Sequence, residues 1–241
     1  MQLGKGRGTG VCYNVQTAVD SKPKRIIAND VTNAPGDRDW LSPMALQAKE
    51  VLGSPFDAVA DVGDDHGEEV KPCLEAGLTP YVARPLTSAH QQLGLFSKDD
   101  FPYDAATDTS QWPAGARLTC RFDTVEVGRH IRSDAPSACR PCPLRQQGTR
   151  HTGGRRLTRW GDEHLLEERE QCVRRRPEVR KQRKQLVAPP FATMQRWWEQ
   201  GFLLMRGLAK VRTEFRVTVL AYHLRRVVNL VGIPRLIAAL G

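Results

Sequence analysis

The sequence predicts an α/β fold, because strand-like and helix-like patterns alternate along its N-terminal third. Residues 11–20 and 25–32 are rich in β-branched and alternating apolar residues and flank a turn signal, so they predict a β-hairpin. Residues 40–52 carry apolar residues at helical spacing and precede Gly53, a stop signal, so they predict a helix that ends there.

The order of the next elements narrows the fold class. A short apolar strand is predicted over residues 56–61, a helix over 67–76 and another strand over 79–83. A hairpin, a helix, a strand, a helix and a strand, followed by further helices, make up most of an RNase H-like α/β core. The strand that should precede the hairpin is absent, so we expect this core to lack its first strand.

The composition changes after Pro85 and predicts three parts. Residues 86–155 are rich in Ser, Thr, Asp, Gly and Pro, with strand-like pieces such as 117–127. We interpret them as an inserted subdomain between a partial core at 10–85 and C-terminal helices at 156–241 that complete the core. The predicted helices cover residues 164–176, 178–187, 193–198 and a long amphipathic stretch within 202–231, whose apolar face comprises Val211, Phe215, Val219 and Tyr222.

Charge is distributed unevenly along the chain. The net charge is +9 and the sequence pI is about 9.5. Residues 1–139 carry a net charge of −5, whereas residues 140–241 hold 22 Lys and Arg against 8 Asp and Glu, a net charge of +14. Such a basic block can neutralise phosphates and release counterions, so it predicts a polyanion partner. The alternative is a solvated, arginine-rich helical surface.

The sequence also indicates where in the cell the protein is located. No signal-peptide pattern and no run of about 18 uncharged apolar residues is recognisable. We therefore predict a soluble cytoplasmic protein without a membrane partner. Six cysteines in a chain without an export signal favour reduced thiols or a metal site over a disulfide framework.

Short motifs in a fixed order resemble one known family. They comprise residues 10–20, 31–33, 37–38, 60–63, 67–69, 80–82, 142–144, 155–160, 190–191, 202–208, 211–214 and 220–222. Together they resemble the DDE transposases of bacterial insertion sequences, in the branch with a cysteine-bearing insertion, over nearly the whole chain. The resemblance implies DNA as partner, a location at the bacterial nucleoid, and Mg²⁺ as cofactor. Three carboxylates would hold two ions roughly 3.5–4 Å apart.

The resemblance assigns metal-binding roles to few residues of this chain. Asp61, after a predicted buried strand, matches the second carboxylate; the alternative is a loop aspartate that caps the next helix. The third carboxylate falls at Ala188 and the lysine that usually follows it falls at Gln195, while the first belongs to the absent strand. Glu214 could stand in for the third carboxylate, but we expect it to be structural. A neighbouring cluster, expected to be a solvated loop, comprises Asp64, Asp65 and His66.

The cysteine pattern departs from the family, so zinc is not expected. Two of the four family cysteine positions hold Trp112 and Gly148, and only the pair Cys139 and Cys142 survives as a zinc remnant. Two ligands rarely hold a structural zinc. Candidates to complete a set are Cys120 and His130, whereas Cys12, Cys73 and Cys172 are expected to be small buried hydrophobes.

Basic residues in the predicted helices fit contact with DNA. They are Arg174, Arg175, Arg176, Arg180, Arg183, Lys184 and Arg196, beside Trp197 and Trp198. Phosphate contacts need no sequence code, so they would give non-specific, salt-sensitive binding. At least one of the two tryptophans is expected to pack into the core instead.

The resemblance predicts a transposase, in which metal-activated water cleaves phosphodiesters at element ends and a freed 3′-OH attacks target DNA. Because two of three metal ligands are missing, we predict a truncated, degenerate and catalytically inactive chain. The alternative is a non-enzymatic remnant that binds DNA or oligomerises, with itself or with an intact transposase. A third reading is an unstable fragment without a function, since a missing strand exposes an unpaired sheet edge.

Overall fold

The structure, a computed structural model, describes most of the chain. The described residues are 12–61, 67–82, 90, 92–126, 129–135, 142–152, 154–198 and 202–240. They form a mixed α/β fold with two compact units, one of residues 1–84 with 168–241 and one of residues 85–167. Across these described ranges, no helix combines the length and the apolar character that crossing a membrane requires.

The predicted hairpin is confirmed in the first unit. Strand β1 (Asn14–Val19) pairs antiparallel with β2 (Ile26–Thr32), with an irregularity in the register between Ala18 and Val19. The N–H of Asp20 donates to a carbonyl across the turn at 2.8 Å. The alternation of apolar residues therefore gives this hairpin two faces, each of which packs against a helix.

Helix α1 (Leu41–Leu52) ends at Gly53, as predicted. The φ angle of Gly53 is 68°, a left-handed conformation that glycine adopts without steric penalty. Its N–H donates to the carbonyl of Lys49 at 2.8 Å and so closes the last turn. Met44 of α1 packs against Ala28 of β2, which fixes the helix on one face of the hairpin.

A second pair of strands follows. Strands β3 (Asp57–Val59) and β4 (Thr79–Tyr81) are parallel and joined by helix α2 (Gly67–Glu75). All three predicted elements are confirmed, although both strands are shorter than expected. Cys73 is fully buried in α2, and burial raises the pKa of its thiol to about 12, so this cysteine is a structural hydrophobe. Cys12 and Cys172 are only partly buried.

The second unit contains a five-stranded antiparallel sheet in chain order. Its strands are β5 (Tyr103–Asp104), β6 (Thr109–Gln111), β7 (Arg117–Glu126), β8 (Arg129–Ala135) and β9 (Leu157–Trp160), and it also holds a short 3-10 helix (Lys98–Asp100) and helix α3 (Arg145–Gly148). Strand β7 confirms the strand-like piece expected at 117–127. The other strands were not predicted, because they are short or polar and lack an apolar alternation.

The C-terminal part is helical, as predicted. It contains α4 (Glu163–Arg175), α5 (Pro177–Ala192), a π-helical turn (Thr193–Trp197), α6 (Leu208–Val231) and α7 (Ile233–Leu240). The predicted end of α5 at residue 187 is wrong, since the helix continues through Pro189 and Pro190. A proline lacks the N–H donor and its ring crowds the carbonyl four residues earlier, but the helix continues here and the carbonyls of both prolines accept the N–H of Thr193.

Helix α6 supplies four of the seven buried residues in one core cluster of the first unit. It begins at Leu208, within the stretch predicted to contain it. Its predicted apolar face is confirmed, and the buried residues are Val211, Phe215, Val219 and Tyr222. They pack against Ile26 and Val31 of β2, and Trp198 joins the same cluster, as expected for one of the two tryptophans. The helix α7 was not predicted.

Candidate functional site

Asp61 lies two residues beyond the end of β3 and forms an ion pair with α5. Its Oδ2 is 3.0 Å from a terminal guanidinium nitrogen of Arg183, and the side chain of Asp61 is 59% exposed. Such an exposed pair contributes little to stability. Because arginine stays charged at all relevant pH values, it does place a permanent positive charge beside this carboxylate. The predicted cluster of Asp64, Asp65 and His66 lies outside the described residues.

Helix α5 runs beside β3, and both elements advance in the same direction. The helix therefore places Arg183 next to Asp61. Just before the helix begins, Arg176 donates hydrogen bonds to Oδ2 of Asp57 at 2.7 Å and to the hydroxyl of Tyr81 at 3.1 Å. Val179, almost one turn later, is buried against Tyr81. Contacts at both ends of β3 therefore hold the first two turns of α5 in register with that strand.

The positions that resemble the rest of the catalytic set carry no charge. Ala188 is exposed on α5, five residues after Arg183, and its methyl group cannot bind a cation. Gln195 is exposed in the π-helical turn that follows. Helix α5 thus presents an arginine to Asp61 and no carboxylate.

Glu214 has a structural role. Its two carboxylate oxygens accept the backbone N–H groups of Leu204 and Met205, each at 2.8 Å. These bonds hold the non-helical segment that leads into α6. The carboxylate of Glu214 therefore binds backbone groups near its own helix. This agrees with the structural role expected from the sequence.

Several residues of the predicted DNA-contacting set are paired with carboxylates. Arg174 lies 2.6 Å from Glu170, Arg176 contacts Asp57, and Arg183 contacts Asp61. Arg175 and Arg196 are exposed. The side chains of Arg180, Lys184 and Trp197 lie outside the described part of the structure. From the sequence alone, all these cations were expected to be available to phosphate groups. The acidic partners Glu170, Asp57 and Asp61 became evident only in the structure.

A cavity of about 610 Å³ lies beside the ion pair of Asp61 and Arg183. Its wall includes every residue from 14 to 21, along β1, and every residue from 56 to 61, along β3. Residues of α1 and α5 form the remaining walls. The cavity therefore separates the two strand pairs of the first unit.

In the second unit, Trp112 packs directly on Gly148. A Cβ atom placed on Gly148 would lie 2.1 Å from the Cη2 atom of Trp112, so only glycine fits at this position. Phe101 contacts the same indole, with ring centroids 5.1 Å apart, and Cys142 packs against this cluster. The indole N–H of Trp112 is buried and has no hydrogen-bond partner among the described residues.

Comparison with known proteins identifies a family for much of the chain. Residues 113–228 match the family model of the transposase DDE domain. Over these residues the chain is similar to the DDE transposase family. The family predicted from the motifs is thereby confirmed. No curated protein and no solved structure matches the chain.

The transposase match covers α5 and most of α6 but not Asp61, which precedes the matched residues. Ala188 lies inside it. The family role of Asp61 accordingly stays a prediction, which rests on its place after β3 and on the local motif.

The residues present do not fit the divalent ions that DDE transposases use. In the described ranges, no group of three His, Cys, Asp or Glu side chains lies together as a metal site would require. Asp61 pairs with the guanidinium of Arg183, and the side chain of Ala188 offers no oxygen to a metal ion. Mg²⁺ needs several oxygen ligands in an octahedral arrangement, and the described residues gather no such set around Asp61.

The residues of the second unit likewise do not fit zinc. Trp112 fills the space next to Gly148, and neither side chain can ligate a metal. Cys139 and the side chain of His130 lie outside the described residues, and Cys120 is exposed, with its thiol 3.5 Å from the carbonyl of Phe122. Trp112 is large and Gly148 has no side chain, and both stand where the resemblance predicts cysteines. This pairing of sizes was a signal in the sequence for direct packing between the two residues.

Proposed function

We propose that this chain is a DDE transposase domain with an RNase H-like core that no longer cleaves DNA. The observation that carries the proposal is the pairing of Asp61 with Arg183 on the helix that bears Ala188. In the two-metal mechanism the ions activate the attacking oxygen and stabilise the leaving one. Without the carboxylates that hold those ions, the core loses this chemistry. We also propose that residues 86–155 are the family insertion.

Arg183 gives a second reason, besides the missing carboxylate at Ala188, to expect no metal ion beside Asp61. Its guanidinium neutralises Asp61 and occupies one of its oxygens at 3.0 Å. A divalent ion would have to displace this arginine and would meet electrostatic repulsion from it. The site thus favours an organic cation supplied by the protein over a metal.

A DNA-cleavage assay tests the proposal. Purified protein is incubated with a supercoiled plasmid and with a linear duplex carrying an inverted repeat, in Mg²⁺ or Mn²⁺. We expect no nicking above the level of Asp61→Ala. Metal-dependent nicking that Asp61→Ala abolishes and that Glu178→Ala, at an exposed position, leaves intact would overturn it.

We propose that the protein still contacts DNA through exposed cations of its C-terminal helices. Arg175 and Arg196 are exposed, whereas Arg174 is bound to Glu170. Removing one cation that contacts a phosphate should reduce the slope of log binding constant against log salt by about 0.9. Arg175→Ala should therefore weaken retention on duplex DNA at low ionic strength more than Arg174→Ala. Equal effects, or no retention of the wild type, would rule this contact surface out.

Self-association is a second candidate function, and the exposed side of α6 favours it. Apolar residues recur there at alternating spacings of three and four, and they are 39% to 61% exposed. They are Val217, Leu220, Leu224, Val227 and Val231. This spacing is that of the a and d positions through which helices pair, so we propose a second copy of the chain as the occupant.

Light scattering with size exclusion tests this pairing. We expect the wild type to shift from monomer to dimer with concentration and Leu224→Glu to remain monomeric. Arg225→Glu, at the neighbouring exposed position, is the control for added charge. A monomeric wild type at all concentrations, or a dimer that Leu224→Glu leaves intact, contradicts the proposal.

A further inference from the structure

We propose that one face of the antiparallel sheet in the second unit binds single-stranded nucleic acid, with unpaired bases stacked on Phe122 and Trp160. Residues directly opposite one another on neighbouring strands share a face of the sheet. Thr124 of β7 lies opposite Ile131 of β8, which in turn lies opposite Trp160 of β9. Phe122 precedes Thr124 by two residues, so its ring lies on the same face. We call this surface the β7–β9 face.

A β-bulge places Phe122 on this face. The register of β7 against β8 shifts between Cys120 and Phe122, with Arg121 as the extra residue. In a regular strand Phe122 would point to the same side as Leu118, which is fully buried in the core of the second unit. One extra residue reverses that direction. The bulge therefore presents a ring that is 50% exposed, where regular alternation would direct it to the core side.

The two faces of the sheet differ in their surroundings. On the opposite face, Leu118 and Leu157 are buried against Trp112. On the β7–β9 face, Thr158 is exposed and Trp160, two residues later on the same strand, is half-buried. The core of the second unit thus lies on one side of the sheet, and the β7–β9 face is open to a partner.

The side chains of the β7–β9 face suit unpaired bases. Every base has a π-face, so stacking on Phe122 and Trp160 would tolerate any sequence. Bases that are splayed out of a single strand can stack on such rings, whereas those of a duplex are stacked on one another. The hydroxyl groups of Thr124 and Thr158, between the two rings, can donate to or accept from base edges.

The two rings are spaced for two separate bases. Neighbouring strands are about 4.8 Å apart and residues two apart along a strand about 7 Å, so the Cα atoms of Phe122 and Trp160 are about 12 Å apart on the diagonal. Ile131 of the central strand lies between them. Each ring can therefore hold its own base, and a single strand can cross the sheet from β7 to β9.

The charge around the β7–β9 face favours a polyanion. Residues 117–135 and 155–160 hold seven Arg against three Asp and Glu. Arg121, at the bulge, and Arg156, just before β9, are exposed, whereas Arg159 on the opposite face is paired with Glu167. The side chains that the structure describes on the β7–β9 face include no carboxylate. Exposed arginines beside aromatic rings are the combination that binds the phosphates and bases of a single strand.

Fluorescence anisotropy with the full-length protein tests the proposal. The probes are fluorescein-labelled strands of twelve deoxythymidines, of twelve uridines, and of twelve abasic deoxyribose phosphates. We expect saturable binding of at least one base-carrying strand, and the tighter of the two identifies DNA or RNA as the ligand. The abasic strand should bind at least tenfold more weakly, because it offers phosphates without bases to stack. Absent binding of both base-carrying strands, or equal binding of the abasic strand, overturns the proposal.

Variants of β7 locate the binding. Phe122→Ala should weaken binding by about 5- to 150-fold, the range for the loss of one stacked base, whereas Phe122→Tyr keeps a ring and should bind like the wild type. Val125→Ala is the matched control, because Val125 is 57% exposed on the same strand but lies on the opposite face. Unchanged binding by Phe122→Ala, or an equal loss in Val125→Ala, overturns the proposal.

Two comparisons separate this inference from the proposed contact of the C-terminal helices with duplex DNA. Phe122→Ala should leave retention on duplex DNA unchanged, and Arg175→Ala should leave single-strand binding unchanged. If Arg175→Ala abolishes single-strand binding, the C-terminal helices bind the strand and the β7–β9 face does not. If Phe122→Ala instead changes the oligomeric state of the protein without nucleic acid, a second copy covers this face. Either result overturns the proposal, whereas single-strand binding without duplex retention supports it and contradicts only the duplex contact.

Discussion

Asp61 and Arg183 illustrate how a site changes character through single residues. The carboxylate keeps the place after β3 that the family resemblance gives it, but the charge next to it is a guanidinium 3.0 Å away. The helix that carries this guanidinium holds a methyl group at Ala188. On the proposal that Ala188 replaces a metal-binding carboxylate, the absence of that ligand and the presence of Arg183 both disfavour a metal ion beside Asp61.

His223 should make stability depend on pH. Its Nε2 accepts the N–H of Ile26 at 3.2 Å, and burial, helped by the charge of Arg25, lowers its pKa below the ordinary value of 6.5. The unfolded chain therefore binds a proton near pH 6.5 that the folded chain resists, so stability is complete above this pH and falls as the pH drops below it. Urea denaturation at pH 7.5 and pH 5.5 should show a lower free energy of unfolding at pH 5.5.

A matched variant isolates the contribution of His223. His223→Gln keeps an acceptor side chain that does not titrate, so the difference between the two pH values should shrink. If the variant retains the full difference, other groups carry the pH dependence.

Gly148→Ala should destabilise the second unit. The added Cβ would lie 2.1 Å from Cη2 of Trp112 in a buried aromatic cluster, and overpacking of this kind costs about 1–3 kcal/mol. Urea denaturation followed by tryptophan fluorescence measures it. Gly36→Ala is the control, because nothing lies within 4 Å of a Cβ there.

A double-mutant cycle attributes the clash to Trp112. Trp112→Phe removes the ring atoms nearest to Gly148, so Gly148→Ala should be tolerated far better in that background. Additive effects of the two substitutions would contradict direct packing between them.

At the scale of elements, the sequence was most informative where the patterns were long and ended on a stop signal. The hairpin, α1 with Gly53 and the buried face of α6 all followed from alternation or helical spacing. The end of α5 did not, since Pro189 and Pro190 predict a helix break, whereas the helix continues through both of them to Ala192. The short strands of the second unit had no apolar alternation to reveal them.

The candidate site was also predictable only in part, because local sequence patterns do not show contacts between distant residues. The place of Asp61 depends on a strand and could be predicted from local sequence. Its partner Arg183 lies 122 positions later in the chain, and no local pattern links the two. Contacts of this kind are set by how α5 packs beside β3, which only the folded chain determines.

Glu214 controls the segment before α6, and its removal should loosen that element. Glu214→Ala deletes the acceptor of two backbone N–H groups, at Leu204 and Met205. Each such bond contributes about 0.5–1.5 kcal/mol, so we expect the loss of both to lower stability by about 1–3 kcal/mol. Hydrogen exchange should speed up at these two amides, while Glu214→Gln, which keeps one acceptor oxygen, should have an intermediate effect. Unchanged exchange at both amides would argue against this role.

At the scale of the whole molecule, we propose that both units depart from the metal chemistry of the family. The first unit places Arg183 beside Asp61, and the second packs Trp112 on Gly148, where the resemblance predicts cysteines. Because these changes affect separate units, restoring one residue should not restore activity. Ala188→Glu alone should give no metal-dependent nicking of plasmid DNA, and nicking by this single variant would show that the rest of the site is intact.

The most direct test of the central claim is the number of Mn²⁺ ions that the protein binds. Electron paramagnetic resonance can follow free Mn²⁺ during a titration of the protein with a short duplex present, with Asp61→Asn titrated in parallel. We expect no saturable Mn²⁺ site on the protein that Asp61→Asn removes. Two bound Mn²⁺ per chain, both absent in Asp61→Asn, would contradict it.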